Sequence, residues 1–488
     1  MIIMGKSCWY QIGSLLLFAP LFVPHTPARA EPPAAVLPGR LDVEQATSES
    51  PDGEVVPSPT QLPQMLSLDD ALRIFRRRGL DLLIADAAVR TAEGTAKIAG
   101  AIPNPVFSTS IGNAFTYSTS PYSYSNCLQN GAQCSPWTNS IGITDGAAIE
   151  DTLSGKRGLR LEVARNALAA AKMSRVDAER TIALQVKSAY LQATQATLGY
   201  NFAKQVASTN QVTLSKFQAR YSKGAINEGD LQRIETQKLE ADRALDTATQ
   251  TLQAARVTLA FLIGVRGQVP EFEVDTRVLD FSVPTSLREP TAAELLRTAF
   301  EHRPDLIALG YQKASSEAQV RLVNRQKFPD ITLGLTYGFG GFGGSSTNGP
   351  IGQQILAFNF SLPLPIFYQL DGELRQAQAL RDTNSLQRAK ATAQVVNDVS
   401  TGLANFTAAK SRVERMEGPR REGGGLLQSA KGALDVTAYQ YDKGAASLTD
   451  YLDALRTYVT TRVEYFGDLT NYWTAVFQLE AAVATELR

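Results

Sequence analysis

The sequence predicts a mainly α-helical chain carrying a share of a membrane β-barrel, organised as two internal repeats of helix, β-hairpin and long helical hairpin. Three observations carry this. The 488-residue chain matches itself when displaced by roughly 220 residues. Four segments of about ten residues alternate large apolar with small polar side chains, the pattern of strands with two unlike faces. Long proline-free stretches repeat apolar residues at three-four spacing, the pattern of packed helices.

Residues 1–30 read as a signal peptide, with Lys6, an apolar run from Ile12 to Val23 and Ala28-Arg29-Ala30 as a small-x-small cleavage site. The apolar run is shorter than the roughly 20 residues a spanning helix needs. Residues 31–66 hold Pro32, Pro33, Pro38, Pro51, Pro57, Pro59 and Pro63 and read as an irregular strap. Cys8 leaves with the leader, so the mature chain keeps Cys127 and Cys134, and export to an oxidising compartment favours a local disulfide between them.

Repeat 1 covers 67–264 and repeat 2 covers 291–488, with a linker at 265–290. Leu80-Asp81-Leu82-Leu83 aligns with Pro304-Asp305-Leu306-Ile307, and Tyr221-Ser222-Lys223-Gly224-Ala225 with Tyr441-Asp442-Lys443-Gly444-Ala445. Residues 67–102 and 291–327 read as helices capped by Ser67 and Thr291, the second with a capping box. Strands follow at about 105–117 and 138–149, and at 329–340 and 354–362. Leu333, Leu335, Tyr337 and Phe339 alternate with Gly334, Thr336, Gly338 and Gly340. Asp145 falls on the apolar side of the second strand and fits that register poorly. From Gly155 to Arg220 no proline interrupts a helix on the order of 100 Å long. The corresponding helix at about 372–440 is expected to kink or break at Gly418-Pro419 and Gly423-Gly424-Gly425.

Strands of this length suit a tilted membrane span with an apolar outer face and a watered inner one. Four cannot close a barrel, and open edges in lipid would leave backbone groups unsatisfied at several kcal/mol each. Copies must therefore contribute; two would give eight strands and three would give twelve. The helical hairpins turn at 221–230 and 441–450. Lys223 and Lys443 suit a helix C-terminal dipole, and Gly224 and Gly444 a left-handed cap. Capping also accounts for Asp230 and Asp450, but Asp453 shares a helix face with Asp450 without capping anything. Repeated around an oligomer, Asp450 and Asp453 would form carboxylate rings favouring cations.

Other classes fit badly. The chain balances 48 basic against 48 acidic residues, against the excess basic charge a nucleic-acid binder needs. Two His residues, one in the leader, cannot build multi-His metal sites. Gly155-Lys156-Arg157 lacks the remainder of a phosphate loop, and the glycines at 338–344 open no helix. No enzyme activity and no cofactor are expected.

The plan over residues 67–487, with the tip motif Tyr441-x-x-Gly444-x-x-x-x-x-Asp450-x-x-Asp453 and its partner Tyr221-x-x-Gly224-x-x-x-x-x-Asp230, resembles the TolC family of outer-membrane efflux proteins. Gly155-Lys156-Arg157-Gly158 is similar to its CzcC-type heavy-metal branch. The resemblance implies a homotrimer with a trimeric 12-stranded barrel, four strands per chain, on an α-helical periplasmic tunnel. It implies an outer-membrane location reaching into the periplasm. The function implied is a passive exit duct of a tripartite efflux or secretion system, exporting small solutes such as drugs or metal ions. The implied partners are a periplasmic adaptor (membrane fusion protein), an inner-membrane pump of RND or similar type, and outer-membrane lipid. By position, Asp450 and Asp453 are the acidic entrance rings, Tyr441 and Asp230 the closure contacts, and Lys223, Gly224, Lys443 and Gly444 the adaptor-facing tips. Cys127 and Cys134 fall in an extracellular loop. The family archetype has an Arg where this chain has Ala446, which implies a weaker resting closure. The competing class is a secreted structural coiled-coil protein without a pore.

Overall fold

The computed structural model describes residues 62–113, 137–146, 148–340, 354–418 and 424–487. The leader, most of the Pro-rich segment, and Cys127 and Cys134 with their expected disulfide lie outside the described residues. Repeat 1 consists of α1 (Leu68–Arg78), α2 (Leu80–Gly100), β2 (Val106–Asn113), β3 (Trp137–Thr144), a short α3 (Ala148–Leu153), α4 (Lys156–Tyr221) and α5 (Glu228–Leu262). Repeat 2 follows with α6 (Ala292–His302), α7 (Pro304–Gln326), β5 (Thr332–Gly340), β6 (Gln354–Ser361), α8 (Asp371–Glu417), α9 (Leu426–Asp442) and α10 (Leu448–Val483).

Several local expectations are corrected. Each leading helix is broken once, at Gly79 and at Arg303, which share an extended conformation (φ −56°, ψ 118° and φ −67°, ψ 117°). The ring of Pro304 excludes the helical region for Arg303. Gly79 is needed because a Cβ there would lie 2.5 Å from the Phe75 ring. Ser67 caps α1 by accepting from the Asp70 N–H at 3.1 Å, but Thr291 makes no side-chain cap and forms no capping box. Strand β3 stops at Thr144, short of residue 149. Asp145 turns the chain there, its carboxylate accepting from the Leu333 N–H at 3.0 Å and the Ile149 N–H at 3.4 Å. The residue that fits no strand face is thus the residue that ends the strand. The long helix of repeat 2 divides into α8 and α9, with Gly418 at φ +73°.

The strands form one antiparallel sheet in the order β2-β3-β5-β6. Its register sets Phe107, Ile143, Leu335 and Phe358 in one row and Thr109, Ile141, Tyr337 and Leu356 in the next. The opposite face carries Ser108, Gly142, Thr336 and Ala357 in a single row. There Ser110 and Ser140 share a hydroxyl bond of 2.9 Å, and the Asn359 amide donates to the Thr336 hydroxyl at 2.6 Å. The apolar face is open: Phe107 is 69% and Phe358 84% exposed.

Lys156, almost fully buried, ties the start of α4 to the chain leading into β5, donating to the Phe328 carbonyl and the Asp330 carboxylate, both at 2.6 Å. Below the sheet, helices pack in the order α2-α4-α7-α8; toward the hairpin turns the order becomes α5-α4-α10-α9. The main core lies where these arrays meet. The 265–290 linker is built into it, with Phe272, Leu279 and Leu287 buried and β4 (Glu273–Val274) pairing in parallel with β1 (Met65–Leu66). The Tyr190 hydroxyl joins the two, donating to the Leu66 carbonyl at 2.8 Å and accepting from the Asp275 N–H at 3.1 Å.

Buried Arg303 reaches Asp398 at 2.9 Å, Asp305 at 2.7 Å and the Ala482 carbonyl near the C-terminal end of α10. Arg180 donates to the neighbouring Ala481 carbonyl. Burial alone would push the Asp305 carboxyl up, but the hydrogen bonds and charge of Arg303 outweigh it and hold the carboxyl below the usual range. A carboxyl lowered by folding stabilises above its unfolded pKa, about 4, and that contribution is lost as pH falls through the folded value. Arg303→Ala would leave two carboxylates unpaired and should cost roughly 3 kcal/mol in denaturant unfolding at pH 7. The deficit should shrink below about pH 4, where the Asp305 carboxyl becomes protonated. A deficit independent of pH would contradict this assignment.

Candidate functional site: the paired hairpin tips

Both tips are built by the same local rule. In the first, the Gly224 N–H bonds to the Tyr221 carbonyl at 2.8 Å and the Ala225 N–H to the Arg220 carbonyl at 3.0 Å. In the second, Gly444 bonds to Tyr441 at 3.0 Å and Ala445 to Gln440 at 2.8 Å. These are Schellman closures, which require a left-handed residue. Gly224 and Gly444 provide it at φ +70° and +75°, in open space that a side chain would otherwise fit. Their role in the turn is therefore conformational.

The returning helices are capped in parallel. Asn227 accepts from the Asp230 N–H at 2.8 Å, and the Ser447 hydroxyl oxygen from the Asp450 N–H at 3.1 Å. Asp450 completes a capping box, its carboxylate accepting from the Ser447 N–H at 3.0 Å and hydroxyl at 2.7 Å. The Ser447 hydroxyl, then its N–H, hold the Asp450 carboxyl below the usual carboxylate range. Asp453, one turn on, is exposed and its carboxylate caps nothing; its backbone carbonyl accepts from the Thr457 hydroxyl. Lys223 is exposed, and the Lys443 ammonium lies 5.6 Å from the Tyr439 ring.

Between the tips sits a small second core of Leu214, Phe217, Ile234 and Leu448. Tyr441 stacks on it between Phe217, at 6.0 Å and 5°, and Tyr451, at 5.8 Å and 20°. Burial pushes the Tyr441 hydroxyl up, the Arg220 charge pulls it down, and the Asp230 charge pushes it up again. Tyr441 and Asp230 are thus brought into one electrostatic neighbourhood, while Asp450 and Asp453 stand apart from it on the exposed side of α10.

Sequence reasoning missed Phe217, Arg220, Arg233, Thr449 and Tyr451 as parts of this site. Ala446 contributes no charge. The cations near Tyr441 and Asp230 are Arg220, 3.8 Å from Asp442, and Arg233, which donates to the Thr449 hydroxyl at 3.2 Å and lies 4.0 Å from Asp230. The aromatic residues at 217, one turn before Tyr221, and at 451, directly after Asp450, were the available signal.

No group of His, Cys, Asp and Glu suited to a metal ion occurs among the described residues. No helix among them is long and apolar enough to cross a membrane.

The family described as outer membrane efflux protein matches residues 72–265 and 295–485. The cobalt-zinc-cadmium resistance protein CzcC of Cupriavidus metallidurans is 23% identical over 442 residues, 89% of this chain and 94% of that one. The pyoverdine export outer membrane protein OpmQ of Pseudomonas putida is 25% identical over 395 residues, 80% of each chain. The open-state structure of the MtrE outer membrane channel of Neisseria gonorrhoeae superposes with a TM-score of 0.64 at 19% identity, covering 86% of this chain and 89% of that one. These findings set aside the reading as a structural coiled-coil protein without a pore.

Ser447→Ala should raise the pH at which Asp450 titrates and speed hydrogen exchange at the first turn of α10 by roughly fivefold, the usual consequence of a lost N-cap. Exchange unchanged from the wild type would contradict the capping role.

Proposed function

The chain belongs to the outer membrane efflux protein family, as an efflux channel of the outer membrane extending into the periplasm, and from that premise we propose that three copies close one conduit. The observation carrying this is the sheet, which has an apolar face across four strands and, at β2 and β6, two edges without a partner strand among the described residues. Lipid cannot satisfy those backbone groups, whereas the β2 edge of a second copy pairing with β6 can. Three copies supply twelve strands. Two would supply eight, whose interior side chains fill, leaving no duct. The helical arrays have matching edges: α2 exposes Ile84 and Ile98, α8 Leu386, α5 Leu239 and Phe261, and α9 Val436 and Tyr439. A neighbouring copy would cover these apolar residues as it continues the barrel.

In this assembly the tips gather at the periplasmic mouth. Asp450 and Asp453 of three copies form two carboxylate rings that concentrate cations. The depressed titration of Asp450 keeps its ring charged under mildly acidic conditions. Tyr441 and Asp230 belong to the contacts that hold the mouth closed. Lys223, Gly224, Lys443 and Gly444 are the points a periplasmic adaptor meets, and an inner-membrane pump of RND or similar type supplies the energy, since the duct has no means of doing work. Outer-membrane lipid is the partner of the apolar sheet face. The cargo is a small solute chosen by the pump. One relative is named for cobalt, zinc and cadmium resistance and another for pyoverdine export, which supports one conduit design serving unlike cargoes.

The test is planar-bilayer conductance of the wild type against Asp450→Ala with Asp453→Ala. The wild type should conduct with cation preference and be blocked by divalent ions. The double variant should conduct with that preference reduced roughly tenfold, since a ring of several charges acts on each ion. An unchanged preference would remove the acidic-ring assignment, and a wild type that never conducts would remove the pore.

A further inference from the structure

Well above the tips, the seam where α4 packs on α10 is thin. Phe202, Val206 and Val459 line a groove of about 870 Å³ shared with α5 on one side, and a cavity of about 130 Å³ shared with α9 on the other. The groove is featureless. The hydroxyls of Thr247, Thr251 and Thr258 on its α5 wall donate to main-chain carbonyls one turn back, which leaves their methyl groups to line it. The cavity differs, because it holds one polar group with nothing to bond.

Its walls include Phe202, Leu434, Leu455 and Tyr458, and no charged side chain lines it among the described residues. Asn210 lines it too; it is 6% exposed, and its amide nitrogen has no hydrogen-bond partner among the described residues. The neighbouring Thr209 hydroxyl is committed to the Gln205 carbonyl at 2.9 Å. A buried donor without a partner is unfavourable to the fold, and an occupant that accepts from it relieves this. Water is a poor candidate, since it needs about two to four polar partners and the cavity offers one buried donor among apolar walls. An aromatic ring suits the remaining surface. An apolar cavity of roughly 150 Å³ is large enough for benzene. Phe202 already meets Tyr458 and Phe466 edge-on, with centroids 6.2 and 6.1 Å apart at 75° and 81°, so another ring beside them extends a favourable edge-to-face set.

We propose that this cavity is a binding site for a small neutral aromatic solute carrying one hydrogen-bond acceptor. The ring sits among Phe202, Leu434, Leu455 and Tyr458, and the acceptor takes the Asn210 amide N–H. The volume limits the ligand to a single ring with one small substituent. A charged analogue is rejected, because one neutral donor cannot replace the hydration of a carboxylate. Asn210 lies about 16 Å along α4 from its end at Tyr221, so the site is separate from the hairpin turns. It belongs to the helical wall and does not depend on the reading of the tips or on the cargo of the duct.

The experiment is a ligand-observed NMR titration of the full chain in detergent, with protein-free micelles as the blank and heat-dependent migration as the folding control. The probes are phenol, whose oxygen accepts a hydrogen bond, aniline, which has the same shape but a poor acceptor, and benzoate. Phenol should bind the wild type about tenfold more tightly than aniline, the factor that a hydrogen bond to a buried donor supplies, and benzoate should not bind. Asn210→Leu removes the donor and should bring phenol down to the level of aniline. Leu434→Trp fills the cavity and should abolish binding of both. Phenol that fails to bind, equal affinity for phenol and aniline, benzoate bound as well as phenol, or a phenol preference kept in Asn210→Leu overturns the site. Binding kept in Leu434→Trp also overturns it, and that variant decides alone should Asn210→Leu fail the migration control. A wild type that conducts in bilayers yet binds no phenol loses the site and keeps the proposed function.

Discussion

The whole architecture answers one constraint: a backbone hydrogen-bonding group in hydrocarbon must have a partner. Among the described residues the chain offers four strands to that requirement, ordered β2-β3-β5-β6, with most large apolar side chains on one face. Such a sheet cannot be stable alone in lipid, because its two outer strands present unpaired backbone. Nor does it suit water, where Phe358 and Phe107 would remain bare. The duplication of the chain, its helical arrays with exposed apolar edges and the need for further copies all follow from making that sheet one part of a closed wall.

The helices solve a second problem, which is reach. An uninterrupted helix of 66 residues, Lys156–Tyr221, extends on the order of 100 Å, and seams rich in Ala let neighbours approach closely. What fixes the helices relative to the sheet is a few buried polar contacts. Lys156 holds the top of the long helix to the strand that follows α7. Arg303, Arg180 and Tyr190 bind the two repeats, the linker and the chain's end into one waist.

Much of this was legible in the sequence because periodicity and turn chemistry are local. The strands show as period-two alternation, the tips as repeated Lys-Gly followed six residues later by Asp, and the broken second helix as a cluster of glycines. What was not legible depends on partners far away in the chain. The breaks at Gly79 and Arg303 reflect packing of Phe75 and the restriction imposed by Pro304. Asp145 looked like an error of register until its carboxylate was seen capping a strand end 188 residues away. Arg233 meets Thr449 across 216 residues, and nothing near either position announces it. Thr291 had the right type and spacing for a cap, yet the main-chain contact to Leu295 is made without its side chain.

The central claim is tested most directly by the mass of the purified protein in a detergent that preserves the outer-membrane state. The account requires three copies per particle, migrating as one species until heated and then as single chains. A particle of one chain, dissolved without detergent and unchanged by heating, would contradict it, because four strands with open edges would then have found stability with no neighbour to complete them.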